Sequence, residues 1–235
     1  MFRFGIRLMM VVMFAGIGSL NAYGSLVSYL FIGDTGYTAE GVDMDYIDIY
    51  DNDMGSKTAD IYGGLIGTVG SSFSSTVNLY DECIVEHIRA EDSSMVNIFD
   101  GSLATLTSHD FSRVNIFGGV FDDYDVLASV YSFDYSHVTI SGGTFADDLK
   151  ASENSIITIC GTDFSIDGLS VGYGPITTAS GILAGTLANG ELMSNNFYIS
   201  DDAGIFLVPE PGTVFLLGLG GLALIRKRKF AAGRS

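Results

Sequence analysis

Residues 96–103 read VNIFDGSL and residues 114–121 read VNIFGGVF, so one short pattern returns after 18 positions. Aligning the chain on itself extends this pattern to six copies at intervals of 18 to 24 residues. The copies begin at Ala59, Val77, Val96, Val114, Val138 and Ile157. In every copy the first, third and eighth positions are apolar, and the second is Asp, Asn or Thr. A fixed period of this length without helical spacing indicates a repeat architecture.

Each copy alternates as a strand does, with its first and third residues predicted to face a core and its second to face solvent. The third positions are Ile61, Leu79, Ile98, Ile116, Ile140 and Ile159, and the eighth are Ile66, Ile84, Leu103, Phe121, Phe145 and Phe164. Two columns precede the copies: apolar Val69, Ile88, Leu106, Val130 and Leu149, then Ser75, Ser94, Ser112, Ser136 and Ser155. One period therefore holds enough short strands to close a coil.

The predicted fold is all-β: a single-stranded parallel β-helix of six coils of 18–24 residues, which stack at about 4.8 Å. Stacked asparagines are expected to hydrogen-bond along the axis, and stacked isoleucines to exclude water. A leucine-rich repeat lacks support because its leucine framework is absent. A β-sandwich would not repeat side-chain identity column by column. Short helices are predicted in the N-terminal signal and in the apolar C-terminal run.

The repeats and the two chain ends together predict five segments. Arg3 and Arg7 precede an apolar run, as in a secretory signal peptide. The predicted segments are a signal peptide at 1–23, an N-terminal cap at 24–58, β-helix repeats at 59–164, a C-terminal cap with a hairpin at 165–207, and a sorting signal at 208–230. Within the two caps, a strand is predicted near 46–50, and a hairpin turn at Asn189-Gly190.

The C-terminal stretch has three parts in a fixed order. These are Pro209, Glu210 and Pro211, then the uncharged residues 212–225, then Arg226, Lys227, Arg228 and Lys229. As a helix, the uncharged run would reach about 21 Å at 1.5 Å per residue, which is short of the hydrocarbon core of a bilayer. The four cations would hold its far end on the cytoplasmic side.

This order of parts resembles the PEP-CTERM sorting signal of Gram-negative bacteria. The resemblance implies that an exosortase recognises the Pro-Glu-Pro segment and processes the tail, after signal peptidase has acted at the other end. It also implies a protein of the cell envelope, surface or extracellular matrix, with residues 212–225 as a transient or stable inner-membrane anchor. Such cargoes are commonly tied to exopolysaccharide, and the repeats resemble a pectin-lyase-like passenger.

Charge narrows the range of partners. All 28 acids lie between Asp34 and Glu210, whereas most of the 11 Lys and Arg lie in the two terminal signals. So acidic a passenger argues against nucleic acid and anionic lipid as its partners, and it favours divalent cations or cationic partners. Cys83 and Cys160 are predicted to lie four coil steps apart, about 19 Å, which is too far for a disulfide. The three histidines fall at different repeat positions, so no shared metal face is expected.

Two acidic clusters are the candidates for calcium. Asp51 and Asp53 begin like a calcium loop but lack the later ligands of an EF-hand. Asp122 and Asp147 belong to clusters in neighbouring coils, and paired carboxylates also serve inverting glycoside hydrolases. A solvated acidic turn is the favoured interpretation of both clusters. We therefore expect no catalytic or cofactor-binding residues, with calcium as the open possibility.

The predicted function is that of a secreted cell-surface or matrix structural protein without catalysis. Two alternatives stay open: a polysaccharide-binding adhesin, assisted or not by calcium, and a polysaccharide lyase or hydrolase of the β-helix class. Against a lyase, few cations are available in the repeats to act as its base. The aromatic ladder of Tyr62, Tyr80, Phe99 and Phe117 either stacks on sugar rings or stabilises the parallel stack.

Overall fold

The computed structural model describes residues 11–14, 18–20, 29–32, 37–40, 44–49, 57–81, 83–122 and 129–210. All regular structure in these ranges is β-strand, which confirms the predicted all-β class. The described ranges accordingly hold no helix with the length and apolar character needed to span a membrane.

The strands are short and closely spaced along the chain. Ahead of the predicted repeats lie β1 (Val11–Phe14), β2 (Gly18–Leu20), β3 (Tyr29–Ile32), β4 (Tyr37–Glu40) and β5 (Met44–Ile49). The repeats contain β6 (Thr58–Tyr62), β7 (Gly64–Ser71), β8 (Thr76–Leu79), β9 (Cys83–Ala90), β10 (Met95–Ile98), β11 (Ser102–Ser108), β12 (Arg113–Ile116), β13 (Val120–Phe121), β14 (Val130–Ser132), β15 (His137–Ile140), β16 (Thr144–Phe145), β17 (Leu149–Ala151) and β18 (Ile156–Ile166). They are followed by β19 (Leu169–Ser170), β20 (Gly174–Pro175), β21 (Ser180–Leu187), β22 (Leu192–Ile199) and β23 (Gly204–Val208).

Strands one period apart pair in parallel and form two ladders. The first ladder runs β2, β4, β6, β8, β10, β12, β15, β18, β23. The second runs β1, β3, β5, β7, β9, β11, then β13 with β14, β16 with β17, and β22. Val96 pairs with Val77 on one side and Val114 on the other, so like residues lie beside like residues.

The apolar columns predicted from the repeats lie in the core, with one exception. Every first-column and third-column residue from Ala59 to Ile159 is fully buried. At the eighth position of the second copy the prediction is wrong, because Ile84 is 50% exposed and Val85 is buried in its place. Val85 pairs with Ile66 and Leu103. The second copy has one extra residue before this point, and a shift of one residue exchanges the two faces of a strand.

The predicted asparagine ladder is present on the outer face of the first ladder. Asn115 Nδ2 donates to Asn97 Oδ1 at 2.8 Å, and Asn97 Nδ2 donates to Asn78 Oδ1 at 2.8 Å. Asn78 Nδ2 then donates to Asp60 Oδ1 at 2.7 Å. Hydrogen bonds in such a chain polarise one another, and the last acceptor carries a formal charge. The second-column residues therefore join neighbouring strands along the axis.

The serine column lies at a buried corner between the two ladders. Ser136 Oγ donates to the carbonyl of Ser108 at 3.0 Å, and Ser155 Oγ donates to that of Ser132 at 2.8 Å. Ser94 makes the same bond to the carbonyl of Ser71 at 2.9 Å. All five column serines are at most 1% exposed. Each of these three hydroxyls thus gives a carbonyl of the preceding period a second hydrogen bond, beside the one that the carbonyl accepts from a backbone N–H.

Replacing Ser136 by alanine should therefore lower the free energy of unfolding by about 1–3 kcal/mol, because the buried Ser132 hydroxyl loses the partner 2.8 Å away and the Ser108 carbonyl loses one of its two donors. Ser102→Ala, at an exposed strand position, is the matched control and should change stability little. Chemical denaturation of the two variants checks this. Equal stabilities of both variants would show that the corner hydroxyls contribute nothing.

The C-terminal segment both closes the stack and extends it. β18 continues past the sixth copy and pairs in antiparallel fashion with β21. β21 and β22 form a hairpin whose loop contains Asn189-Gly190, where the sequence predicts a turn. β22 then returns to the second ladder beside β17, and β23 to the first ladder beside β18. Antiparallel strands cover this end and protect the ladder edges from pairing with other chains.

The helix predicted in the N-terminal signal does not form in its described part. Val11–Phe14 and Gly18–Leu20 are strands that pair in parallel with β3 and β4. A helix there would leave the backbone groups of β3 and β4 unpaired, and the β-branched Val11 and Val12 suit a strand. β3, β4 and β5 likewise extend both ladders within the predicted N-terminal cap, in its described residues 29–32, 37–40 and 44–49. The helix predicted within 212–225 lies outside the described residues.

Candidate functional site

The C-terminal strand β23 leads directly into the Pro-Glu-Pro segment. Ile205 and Leu207 are buried, and they pair with Ile157 and Ile159 of β18. Pro209 directly follows Val208, the last residue of β23, and proline cannot donate to a ladder. Pro209 and Glu210 are half-buried, whereas Pro211 and the cations Arg226, Lys227, Arg228 and Lys229 lie outside the described residues. The segment thus begins where the packed core ends.

A pocket of about 500 Å³ lies beside this exit. Its apolar walls are formed by Ile166, Leu169, Val171, Tyr173, Ile176 and Leu207. Leu169 is 74% exposed and Tyr173 is 53% exposed, so large apolar side chains stand open to solvent here. Sequence reasoning missed this pocket, because its wall residues follow the last repeat and share no period with it.

A column of acidic residues at one turn is the second feature that sequence reasoning missed. Asp92, Asp110, Asp134 and Glu153 have φ between 56° and 64°, a left-handed conformation that aspartate tolerates better than most residues. Each carboxylate accepts a backbone N–H from the preceding period, such as that of Asp92 on Asp110 Oδ2 at 3.3 Å. An acid two residues before each column serine from Ser94 to Ser155 is the signal in the sequence.

These hydrogen bonds shift the pKa values of two residues of the acidic column in opposite directions. The backbone N–H of Asp110 lowers the pKa of Asp134, whereas the hydrogen bond shared with Asp134, and then its charge, raise the pKa of Glu153. Asp134 therefore stabilises the fold above its unfolded pKa and loses that contribution as the pH falls through its lowered folded pKa. Glu153 contributes in the opposite sense, below its own unfolded pKa, so the two effects oppose each other.

The predicted calcium candidates do not assemble in the described residues. Asp51 and Asp53 lie outside them. Asp122 is exposed and falls level with Ala146, because Phe121 pairs with Phe145. Asp147 is half-buried, and its backbone N–H donates to Ser129 Oγ at 3.1 Å. In the ranges that the structure describes, no three His, Cys, Asp or Glu side chains gather as a metal site would require.

The histidines and cysteines occupy separate places. His109 Nδ1 lies 3.5 Å from Asp134 Oδ2, and its ring stacks on Phe133 at 4.8 Å. His137 lies 2.9 Å from Thr158 Oγ1, and burial, aided by the Arg113 charge, lowers the pKa of its imidazole. Cys83 and Cys160 are buried free thiols, and burial raises the pKa of both. A raised pKa keeps a thiol protonated and unreactive.

In the aromatic ladder, the ring faces pack against one another. Tyr62, Tyr80, Phe99 and Phe117 stack with centroid separations of 4.4, 5.0 and 5.1 Å and interplanar angles of 5° to 11°. Both faces of Tyr80 and Phe99 are therefore covered by neighbouring rings, and only their edges remain for a ligand. This geometry favours the structural interpretation of the ladder over sugar stacking.

Comparison with known proteins identifies the C-terminal stretch. Residues 207–229 match the PEP-CTERM protein-sorting motif. The chain matches no curated protein and no solved structure. The motif begins at Leu207, the last buried residue of β23, and runs through the Pro-Glu-Pro segment and the cations. It implies export, processing by an exosortase, and a C-terminus that is membrane-associated before processing, consistent with a cell-envelope or surface location.

Proposed function

We propose that the protein is a structural component of the cell surface or extracellular matrix, with a parallel β-helix as its passenger. The single observation that carries this proposal is that the sorting motif starts inside the last strand of the packed stack. The motif is therefore the end of the folded body, with no linker between them. An exosortase that processes the motif therefore acts directly beside the folded body.

The β-helix proposal is supported by both ladders. Paired strands lie one period apart and run parallel, as successive coils of a solenoid do. The two ladders alternate along the chain and share one core, which joins Ile116 of the first to Leu106 of the second. The periods from Val114 and Val138 hold three strands, whereas β7, β9 and β11 each replace two of these with one longer strand.

We also propose that the protein is not an enzyme that cleaves polysaccharides. A glycoside hydrolase needs one carboxyl group in an apolar surrounding that keeps it protonated, whereas Asp122 is exposed and the half-buried Asp148 accepts a hydrogen bond from Asn196. A lyase needs a base of lowered pKa, and Arg89 is already paired with Glu91.

The second candidate function is a polysaccharide-binding adhesin, calcium-assisted or not. It is favoured by Phe111 and Tyr135, whose rings stack at 5.3 Å. Their side chains are 64% and 60% exposed, which leaves aromatic surface open to a sugar ring.

Glu210→Ala should block processing, because Glu210 is the one charged residue between the two prolines of the motif. In a host that has an exosortase, the variant is expected to keep residues 211–235, whereas the unaltered protein loses its tail. Intact-mass analysis of the envelope fraction measures both. Glu86→Ala, at an exposed strand position, is the matched control and should be processed normally. Normal processing of the Glu210 variant would remove the assignment of this segment.

A further inference from the structure

We propose that the pocket beside β23 holds the first apolar residues of the protein's own sorting segment, residues 213–217, before the membrane receives them. The inference rests on the proposed function, since it gives the C-terminal cap a task in the unprocessed chain. In this state the pocket shields part of the apolar run from water until the membrane or the exosortase receives it.

The path of the chain is the first argument. β20 and β23 are antiparallel, with Gly174 paired to Leu207 and Pro175 to Phe206. The residue after Leu207 therefore runs alongside Tyr173, and the following residues run towards Gly172. Both Tyr173 and Gly172 line the pocket. The chain thus leaves the last strand along the pocket wall.

The second argument is the short distance along the chain. The apolar residues Val214, Phe215 and Leu216 begin seven positions after Leu207, which itself lines the pocket. An extended chain covers at most about 3.3–3.6 Å per residue, so the connection is short and a single turn in it is enough to bring these side chains to the pocket. A tethered segment meets its site at an effective concentration of the order of millimolar. Modest apolar contact is then enough for occupancy.

The chemistry of the two partners also matches. A pocket of about 500 Å³ falls within the range of pockets that take small apolar ligands. Its acidic member, Asp167, accepts a hydrogen bond from the backbone of Ile182 at 2.9 Å, which leaves the remaining wall largely apolar. The cations of residues 226–229 follow the apolar run, and the acidic passenger attracts them. The charge of the passenger and the apolar wall of the pocket therefore both favour a tail that is held against the folded body.

The chain contains no tryptophan, so Tyr173→Trp places a single tryptophan, the pocket fluorophore, in the pocket wall. Quenching by acrylamide is measured on the purified, unprocessed full chain. The same chain with Phe215→Asp and Leu216→Asp added is the comparison, because charged side chains do not occupy an apolar pocket. We expect the quenching constant of the pocket fluorophore to be about threefold lower in the chain with the natural tail than in the chain with the two aspartates. The reason is that a ligand in a pocket shields the pocket walls from solvent.

Two controls keep the result interpretable. Tyr135→Trp, made instead of Tyr173→Trp, puts the tryptophan at an exposed position that is remote in sequence, and it should be quenched equally with and without the tail substitutions. A thermal melt shows that the tail substitutions leave the stack folded. Leu169→Asp at the exposed rim should raise quenching of the pocket fluorophore while the tail keeps its own sequence.

Three outcomes would overturn the inference. These are equal quenching of the pocket fluorophore in both chains, protection that grows with protein concentration and so reports a second copy, and protection only with lipid vesicles. The measurement needs no exosortase, so it separates the two proposals. Protection of the pocket fluorophore without processing in the host defeats the sorting proposal alone. Normal processing without protection defeats the pocket inference alone.

Discussion

Ile116→Asp is expected to unfold the stack at a temperature where the unaltered protein is stable. Ile116 is fully buried and pairs with Ile98 and Ile140 in the first ladder. The introduced carboxyl would have no cation beside it in this column of isoleucines. A buried, uncompensated charge costs about 3–5 kcal/mol, and even a protonated carboxyl leaves unpaired polar atoms in the core.

Circular dichroism during thermal denaturation measures the effect. Ile84→Asp makes the same chemical change at a position that is half exposed, and it should shift the melting temperature by no more than about two degrees. The contrast between the two variants is therefore a test of burial alone. A melting temperature for Ile116→Asp that equals that of Ile84→Asp would contradict the core assignment.

Gly142→Ala should release the C-terminal hairpin from the stack. A Cβ at Gly142 would overlap the backbone oxygen of Phe117 and the side-chain amide of Asn189. Asn189 lies at the tip of the β21–β22 hairpin, and its backbone N–H donates to the carbonyl of Ser141 at 3.0 Å. Glu191 on the same tip accepts the N–H of Gly143. Because backbone must move, we expect a loss of about 3 kcal/mol or more.

Gly172→Ala is the matched control, since an added Cβ there meets nothing within 4 Å. Hydrogen exchange by mass spectrometry distinguishes the two variants. Faster exchange of residues 180–199 in Gly142→Ala, with normal exchange of residues 95–116, is the expected pattern. Unchanged protection of the hairpin in that variant would show that the tip does not depend on the Gly142 turn.

The sequence predicts the repeated part of this fold well, for a physical reason. In a parallel stack, each side chain lies beside its equivalents one period away, so burial repeats with the period and is visible as columns. The error at Ile84 arose where one extra residue before Val85 shifted the alternation. Column reading assumes equal spacing, and a local insertion violates that assumption without changing the period enough to be noticed.

The parts outside the repeats were harder to predict. Residues 37–40 pair with residues 59–62, although Tyr37 and Glu40 show little likeness to Ala59 and Tyr62. The backbone alone satisfies that pairing, and it leaves no column in the sequence. The pocket near Leu207 forms between β23 and a loop some 35 residues earlier, and no local pattern records such a contact. The sorting motif was readable because its order of proline, apolar run and cations is itself a chemical signature.

The central claim is that consecutive periods stack in register as parallel neighbours, and a disulfide across the outer face tests it most directly. Asn97 and Asn115 pair in register, and neighbouring strands lie about 4.8 Å apart, within the Cα separation a disulfide requires. The variant Asn97→Cys, Asn115→Cys is predicted to form this bond under mild oxidation, as peptide mapping would show. Asn97→Cys with Thr139→Cys, two periods apart at about 9.6 Å, is predicted to form none. Absence of the first bond, or equal yields of both, would contradict the account.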